Sequence, residues 1–181
     1  MVAFRTVVDF WDHADLDEAR RECRIQIERA ILWGFDVTHL ASRAGALTHR
    51  PEFFDLLTEL CLEFSLPVRL PNADDEAGIG FPLRQLARDD ALVSPDRVVR
   101  LSELDPAAIS DAVDNLAPGV TELVLRPAID SPELVAIDPD SAMRIRDLDA
   151  ASPWSELAES LSRAGCRRLS WRDLRAVARP S

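Results

Sequence analysis

The chain has 181 residues, of which 47% are hydrophobic and 29% charged, a balance typical of a soluble globular domain with a sizeable core. Its net charge of −11 disfavours nucleic acid and anionic membranes as partners, because both require a concentrated positive surface. No apolar run is long enough to span a bilayer, and the N-terminus lacks the pattern of a signal peptide, so we expect a cytoplasmic protein.

The first predicted element is a long amphipathic helix over residues 15–34. Asp15 is placed to cap it, with Glu18 three positions later as in a capping box, and Gly34 suits its C-terminal end. The apolar stripe of this helix has helical spacing: Leu16, Ala19, Cys23, Ile27, Ala30 and Ile31. The following segment, "FDVTHL", is typical of a short strand, which would end near His39.

A second amphipathic helix, "RPEFFDLLTELCLEF", carries Pro51 in its first turn, where the missing N–H costs little. "LPVRLP" is predicted to be a short strand bounded by prolines, and the acidic loop "NADDEAG" follows it. The later elements, in chain order, are a helix near 82–89, the strand "DRVVRLS", the helix "DPAAISDAVDNLA", the strand "GVTELVLRP", helices near 139–149 and 153–164, a possible strand "CRRLS" and a closing helix "WRDLRAVA" capped by Ser170 and Asp173.

This alternation of strands and helices predicts the α/β class, with right-handed βαβ units and parallel strands. In such folds the binding site lies at the carboxyl ends of the strands. Four features of this chain fall at predicted strand ends: His39, Arg69, the loop Asn72–Glu76 and Arg126. We therefore expect the functional residues among them.

Several segments resemble, in the same order, the C-terminal part of the YdjC-like carbohydrate deacetylases, which include chito-oligosaccharide and hopanoid-associated deacetylases. These segments are "ADLDEARRECRIQIERAILWGFDVTHL", "RPEFFDLLTELCLEFSLPVRL", "PGVTELVLRPAIDSPEL", "RIRDLD" and "SWRDLR". The resemblance implies one domain over residues 1–181, built as a β/α (TIM-like) barrel of parallel strands flanked by helices. We expect that barrel to be incomplete, because the family's N-terminal strands have no counterpart in this sequence.

The resemblance implies that, in this family, a divalent metal activates water for attack on an N-acetyl sugar. Its ligands come from an N-terminal N-A-D-D-F-G motif, an H-L-T-L-T-like segment and a T-H-x-D-S-H segment, and a later strand ends in histidine-proline. In this chain Ala41 replaces the aspartate of the third motif, Arg43 its last histidine, and Arg126 the histidine before proline. The first two motifs have no counterpart.

The resemblance implies magnesium or zinc as the cofactor. We expect neither metal to bind this chain. Arginine carries no lone pair for a metal and repels a cation. It can instead hold a carboxylate, a phosphate or a sugar hydroxyl. Ser42, Arg43, Arg69 and Arg126 are accordingly the predicted residues for a small sugar or anionic ligand.

Three of these predictions have a structural alternative. His39 is either a retained catalytic or substrate-site residue, or a neutral histidine hydrogen-bonded at a strand end. Arg69 either faces the pocket or forms a structural ion pair. Asp74 and Asp75 repeat letters of the family's metal motif, yet they stand after "PVRLP", where a solvated acidic loop is the alternative to a divalent-ion site.

Three functions remain open from the sequence. The chain is an impaired metal-dependent deacetylase of N-acetyl sugars, a non-catalytic pseudoenzyme that binds a sugar or anion or serves as a subunit, or a decayed fragment. An incomplete barrel would leave an open strand edge and uncovered apolar helix faces. We expect a homodimer, a complementing chain or the N-terminal segment "MVAFRTVVDF" to cover them.

Overall fold

The computed structural model describes residues 6–101, 106–151 and 156–179. The chain divides into two compact units, unit 1 with Met1–Pro95 and Leu169–Ser181, and unit 2 with Asp96–Arg168. Each unit contains one pair of parallel strands together with helices, which confirms the mixed α/β class with parallel strands. A single domain over residues 1–181 stays a prediction.

The described residues form ten α-helices and four strands. In chain order they are α1 (Val7–His13), α2 (Leu16–Leu32), β1 (Leu40–Ala41), α3 (Pro51–Phe64), β2 (Val68–Arg69), α4 (Glu76–Ile79), α5 (Leu83–Asp89), β3 (Arg97–Arg100), α6 (Pro106–Asp114), β4 (Thr121–Val124), α7 (Pro132–Ile137), α8 (Ser141–Ala150), α9 (Glu156–Arg163) and α10 (Trp171–Ala178). Within these parts of the chain, no helix is both long and apolar enough to cross a membrane.

The ends of α2 follow the predicted local chemistry. The Asp15 carboxylate accepts a hydrogen bond from the Glu18 N–H at 2.9 Å, so it satisfies one of the free donors of the first turn. Gly34, just beyond the helix, has φ +81°, a conformation that glycine adopts without steric cost. The predicted apolar stripe fails only at its end, because Ile31 is exposed while Ala19 and Ile27 are buried.

Helix α3 is the centre of unit 1, and its two apolar faces enter two clusters. One cluster joins α3 to β2 and α5 through Phe54, Leu57, Cys61, Val68, Leu70, Leu83 and Ala87. The other joins α3 to α2 through Ala19, Ile27, Phe53, Leu56, Leu60 and Leu66. Leu40 of β1 packs against both clusters. Burial of α3 on both sides therefore fixes the positions of β1 and β2.

Strands β1 and β2 are parallel and only two residues long each, with Leu40 opposite Val68 and Ala41 opposite Arg69. Prolines 67 and 71 bound β2 and have no N–H to extend the ladder, which explains its shortness. The Leu40 N–H donates to the Pro67 carbonyl at 2.9 Å, and strand β1 begins there. The prediction that a strand ends near His39 is therefore wrong: His39 precedes the strand.

Helix α1 covers part of α3. The Phe10 ring lies 4.9 Å from that of Phe53, and the Trp11 indole N–H donates to the Ala46 carbonyl at 2.8 Å. Of the predicted N-terminal cover, residues 1–5 lie outside the described chain, while residues 7–10 belong to α1. The covering of an open strand edge by this segment stays a prediction.

In unit 2, β3 and β4 pair in parallel from Arg97 opposite Thr121 to Arg100 opposite Val124. The predicted helices α6, α8 and α9 are present, and α7, which the sequence reading missed, is capped by the Ser131 hydroxyl, which accepts from the Leu134 N–H at 3.1 Å. The predicted strand "CRRLS" is wrong, because residues 166–170 belong to neither a helix nor a strand.

Burial along α3 gives a direct test of its central role. Leu60 is 1% exposed and Leu62, on the opposite side of the same helix, is 53% exposed. Leu60→Ala should lower the free energy of unfolding by about 2–5 kcal/mol, because it leaves a cavity in the core. Leu62→Ala should cost about 0.5 kcal/mol or less. Urea denaturation measures both, and equal losses would contradict this packing.

Candidate functional site

Three predicted site residues of unit 1, Ser42, Arg43 and Arg69, lie at or just beyond the carboxyl ends of β1 and β2. Val68 and Leu70 are buried in the core, so the intervening Arg69 side chain lies on the opposite face of the strand. Ala41 is the neighbour of Arg69 in the parallel ladder, and the two side chains share that face. Arg69 is half-buried there, while Ala41 is exposed.

Ser42 and Arg43 follow β1 in a tightly held turn. The Ser42 hydroxyl oxygen accepts a hydrogen bond from the Leu47 N–H at 2.8 Å. Gly45 has φ +74°, and a Cβ added to it would lie 2.1 Å from Cε1 of His49, so this position requires glycine. Arg43 is exposed on this turn, and no carboxylate within the described residues pairs with its side chain.

His39 is fixed by packing. Its ring is half-buried and stacks on the Trp171 ring of α10, with centroids 4.0 Å apart and planes inclined by 7°. Its Nδ1 lies 3.0 Å from the Thr38 hydroxyl. Sequence reasoning placed His39 at a strand end because its neighbours are apolar, and it could not foresee an aromatic partner 132 positions later in the chain.

Helix α10 is held against the segment before β1 by an ion-pair cluster. Arg175 donates to the Asp36 carboxylate at 2.5 Å and to the Val37 carbonyl at 2.6 Å. Arg172 also donates to the Asp36 carboxylate. These contacts place Trp171 over His39.

A divalent metal does not fit the residues at the ends of β1 and β2. Ala41 offers no donor atom, the guanidinium groups of Arg43 and Arg69 offer no lone pair, and His39 supplies one stacked imidazole. Across the described residues, no three His, Cys, Asp or Glu side chains form a group that could hold a metal. Magnesium or zinc, which the resemblance implies, is therefore not matched by this set of donors.

The acidic loop after β2 is a capped turn. The Asp75 carboxylate accepts from the Asn72 N–H at 3.1 Å, and these two residues form a capping box around the 3-10 turn Ala73–Asp75. Glu76 accepts from the Arg84 backbone N–H at 2.6 Å. Asp75 and Glu76 are thus engaged with the backbone, and Asp74 is exposed.

Arg84 of α5 was missed by sequence reasoning. It is 7% exposed, and its guanidinium donates to the carbonyls of Pro71 at 2.6 Å, Pro95 at 3.1 Å and Leu70 at 3.5 Å. It therefore holds the backbone directly after β2. The sequence signal for a buried role of Arg84 was its position on an otherwise apolar helix face.

Arg126 belongs to unit 2, where it lies two residues beyond β4. Its side chain is exposed, and its backbone N–H donates to the Asp147 carboxylate at 2.7 Å. Asp147 is 1% exposed and was also missed. A signal was available in "RIRDLD", where an aspartate stands beside two arginines on a helix.

Comparisons with known proteins agree with this fold. The sequence matches the family of YdjC-like proteins over residues 3–159. A carbohydrate deacetylase of Thermoanaerobacter pseudethanolicus is 30% identical over 133 residues, which make up 74% of this chain and 51% of that protein. The chain therefore spans about half the length of this curated relative.

One similar solved structure is that of a candidate cellobiose-phosphate cleavage protein of Enterococcus faecalis V583. It superposes with a TM-score of 0.70 at 20% identity, covering 91% of this chain and 63% of that one. This similarity supports the mixed α/β fold.

The Asp36 cluster predicts a dependence on pH. Hydrogen bonds from Arg172 and then Arg175 lower the pKa of the Asp36 carboxyl below its ordinary value of 3.8. The pKa of Asp36 is therefore lower in the folded chain than in the unfolded chain. The ion-pair cluster stabilises the fold fully at a pH above the unfolded-state pKa, and this stabilisation is lost as the pH falls through the folded-state pKa.

An NMR titration of the Asp36 carboxyl carbon should therefore give a midpoint below 3.8. Arg172→Gln and Arg175→Gln together should return that midpoint towards the ordinary value, and Arg168→Gln, at an exposed arginine outside the cluster, should leave it unchanged. A wild-type midpoint at or above the ordinary value would contradict the docking of α10.

Proposed function

This chain belongs to the YdjC-like carbohydrate deacetylase family, and we propose that it binds a sugar or anionic ligand without performing the family's metal-dependent hydrolysis. We further propose that its fold is an incomplete β/α barrel and that it acts in the cytoplasm. The thiols support that location, since Cys23, Cys61 and Cys166 are all unpaired. Burial also raises the pKa of the Cys61 thiol to about 12, as expected for an inert core cysteine.

One observation carries the proposal, the register that sets Ala41 beside Arg69. The family's carboxylate is expected at the position of Ala41, where this chain has a methyl group next to a guanidinium. Hydrolysis of an N-acetyl group requires an activated water and groups that move protons. Alanine and arginine supply neither, because arginine stays protonated at every relevant pH.

The same residues suit an anion. Guanidinium groups donate paired hydrogen bonds to phosphate or carboxylate. Arg43 follows β1, and Arg69 is the last residue of the neighbouring parallel strand β2. The Ser42 hydroxyl accepts from Leu47 and retains its proton for donation to a sugar oxygen. His39 stacks on Trp171, which supports a packing role over an acid-base role.

The alternative function is that of a subunit completed by another chain. Within the described residues, β1 pairs only with β2, which leaves its other edge without a strand. Four large apolar side chains just before β1 are exposed: Ile31, Leu32, Trp33 and Phe35. A second copy of this chain, or a polypeptide that carries the family's N-terminal motifs, would cover that edge and those residues.

Ligand titrations test the proposal. Cellobiose phosphate should bind more tightly than cellobiose, and at a concentration of 100 times its Kd it should stabilise the protein by about 2.7 kcal/mol. Arg43→Gln should weaken the binding of cellobiose phosphate about tenfold or more, as expected for the loss of a charged hydrogen bond. Arg21→Gln, at an exposed arginine of α2, is the matched control and should bind like the wild type.

An acetate-release assay completes the test. With N-acetylated chito-oligosaccharides and added zinc or magnesium, the isolated chain should release no acetate above a no-protein control. Metal-dependent release would contradict the proposal. Release only after co-expression with a polypeptide that carries the family's N-terminal motifs would favour the subunit.

A further inference from the structure

Asp147 is a buried carboxylate that the proposed binding role does not use directly. It lies on α8 in unit 2 and is 1% exposed. A charged group withdrawn from water is unfavourable unless the surrounding structure provides hydrogen bonds or an opposite charge. Its contacts therefore indicate what it does.

The two carboxylate oxygens of Asp147 have different surroundings. Oδ2 accepts the Arg126 backbone N–H at 2.7 Å. Among the described residues, Oδ1 accepts no hydrogen bond, but Nη2 of Arg146 lies 3.7 Å away. The carboxylate is thus tied to the chain after β4, and Arg146 compensates its charge.

The same turn of α8 holds the chain after both strands of unit 2. Arg146 donates to the Leu101 carbonyl, directly after β3, at 3.4 Å. The Arg144 carbonyl accepts from the Ala128 N–H at 3.0 Å. Together with the Asp147–Arg126 bond, these contacts fix the segments that follow β3 and β4, which form the binding edge of a parallel sheet.

We propose that Asp147 is the positioning residue for Arg126, which binds the phosphate or carboxylate of an anionic sugar at the strand ends of unit 2, an inference that rests on the proposed function. The hydrogen bond to Oδ2 fixes the backbone from which the exposed Arg126 side chain extends. A cation on a fixed backbone loses less conformational freedom when it binds an anion, and therefore binds it more tightly. Because the Arg146 guanidinium lies 3.7 Å from Asp147 and offsets its charge, Asp147 repels the anion little.

Four variants test this role with cellobiose phosphate as the probe. Arg126→Gln and Asp147→Leu should each weaken binding about tenfold. Asp147→Asn keeps an oxygen acceptor of the same shape and should stay within about threefold of the wild type. Asp149→Asn, an exposed aspartate on the same helix, should bind like the wild type.

The double variant separates positioning from general stability. If Asp147 acts through Arg126, then Asp147→Leu should add less than about twofold to the loss already caused by Arg126→Gln. A full additional loss in that background would show a merely structural effect and would overturn the proposal.

Amide hydrogen exchange gives a readout that needs no ligand. The Arg126 N–H should exchange slowly in the wild type and in Asp147→Asn, and fast in Asp147→Leu. Slow exchange in Asp147→Leu would overturn the positioning role. Absence of binding by the wild type would instead defeat the proposed function and the ligand role of Arg126, so the two failures are distinguishable.

Discussion

The alternation of side chains in β2 determines the character of the candidate site. Val68 and Leu70 must face the core, because α3 and α5 bury both of them. The strand period of two then turns Arg69 to the opposite face, beside Ala41 of β1. A cation stands next to a methyl group at an edge where a metal-dependent hydrolase would need oxygen and nitrogen donors. The proposed preference for anions follows from this arrangement.

Much of the secondary structure could be predicted from the sequence, because local chemistry specifies it. Asp15, Pro51 and Ser170 mark helix starts at the positions where the structure has them. The strands were harder, since their limits depend on pairing partners distant in sequence. Strand β1 is two residues long because Pro67 and Pro71, which flank β2, have no N–H to extend the pairing. No pattern within "FDVTHL" indicates this limit.

The candidate site was predicted in part. Parallel strands placed Ser42, Arg43 and Arg69 at one edge, as βαβ reasoning expects. The buried ionic residues that hold strand-end backbones, Arg84 and Asp147, were not foreseen. Charged residues are usually exposed, and burial becomes evident only once the neighbouring helices and strands are in place.

Elemental analysis after dialysis against zinc and magnesium tests most directly whether the ends of β1 and β2 can hold a divalent metal. The wild-type chain should retain well under one metal ion per molecule. Ala41→Asp with Arg43→His restores two donors of the family motif beside His39 and should retain more. One zinc or magnesium per wild-type chain, lost in His39→Ala, would contradict the proposal that the ends of β1 and β2 hold no divalent metal, and would make deacetylation by this chain chemically feasible.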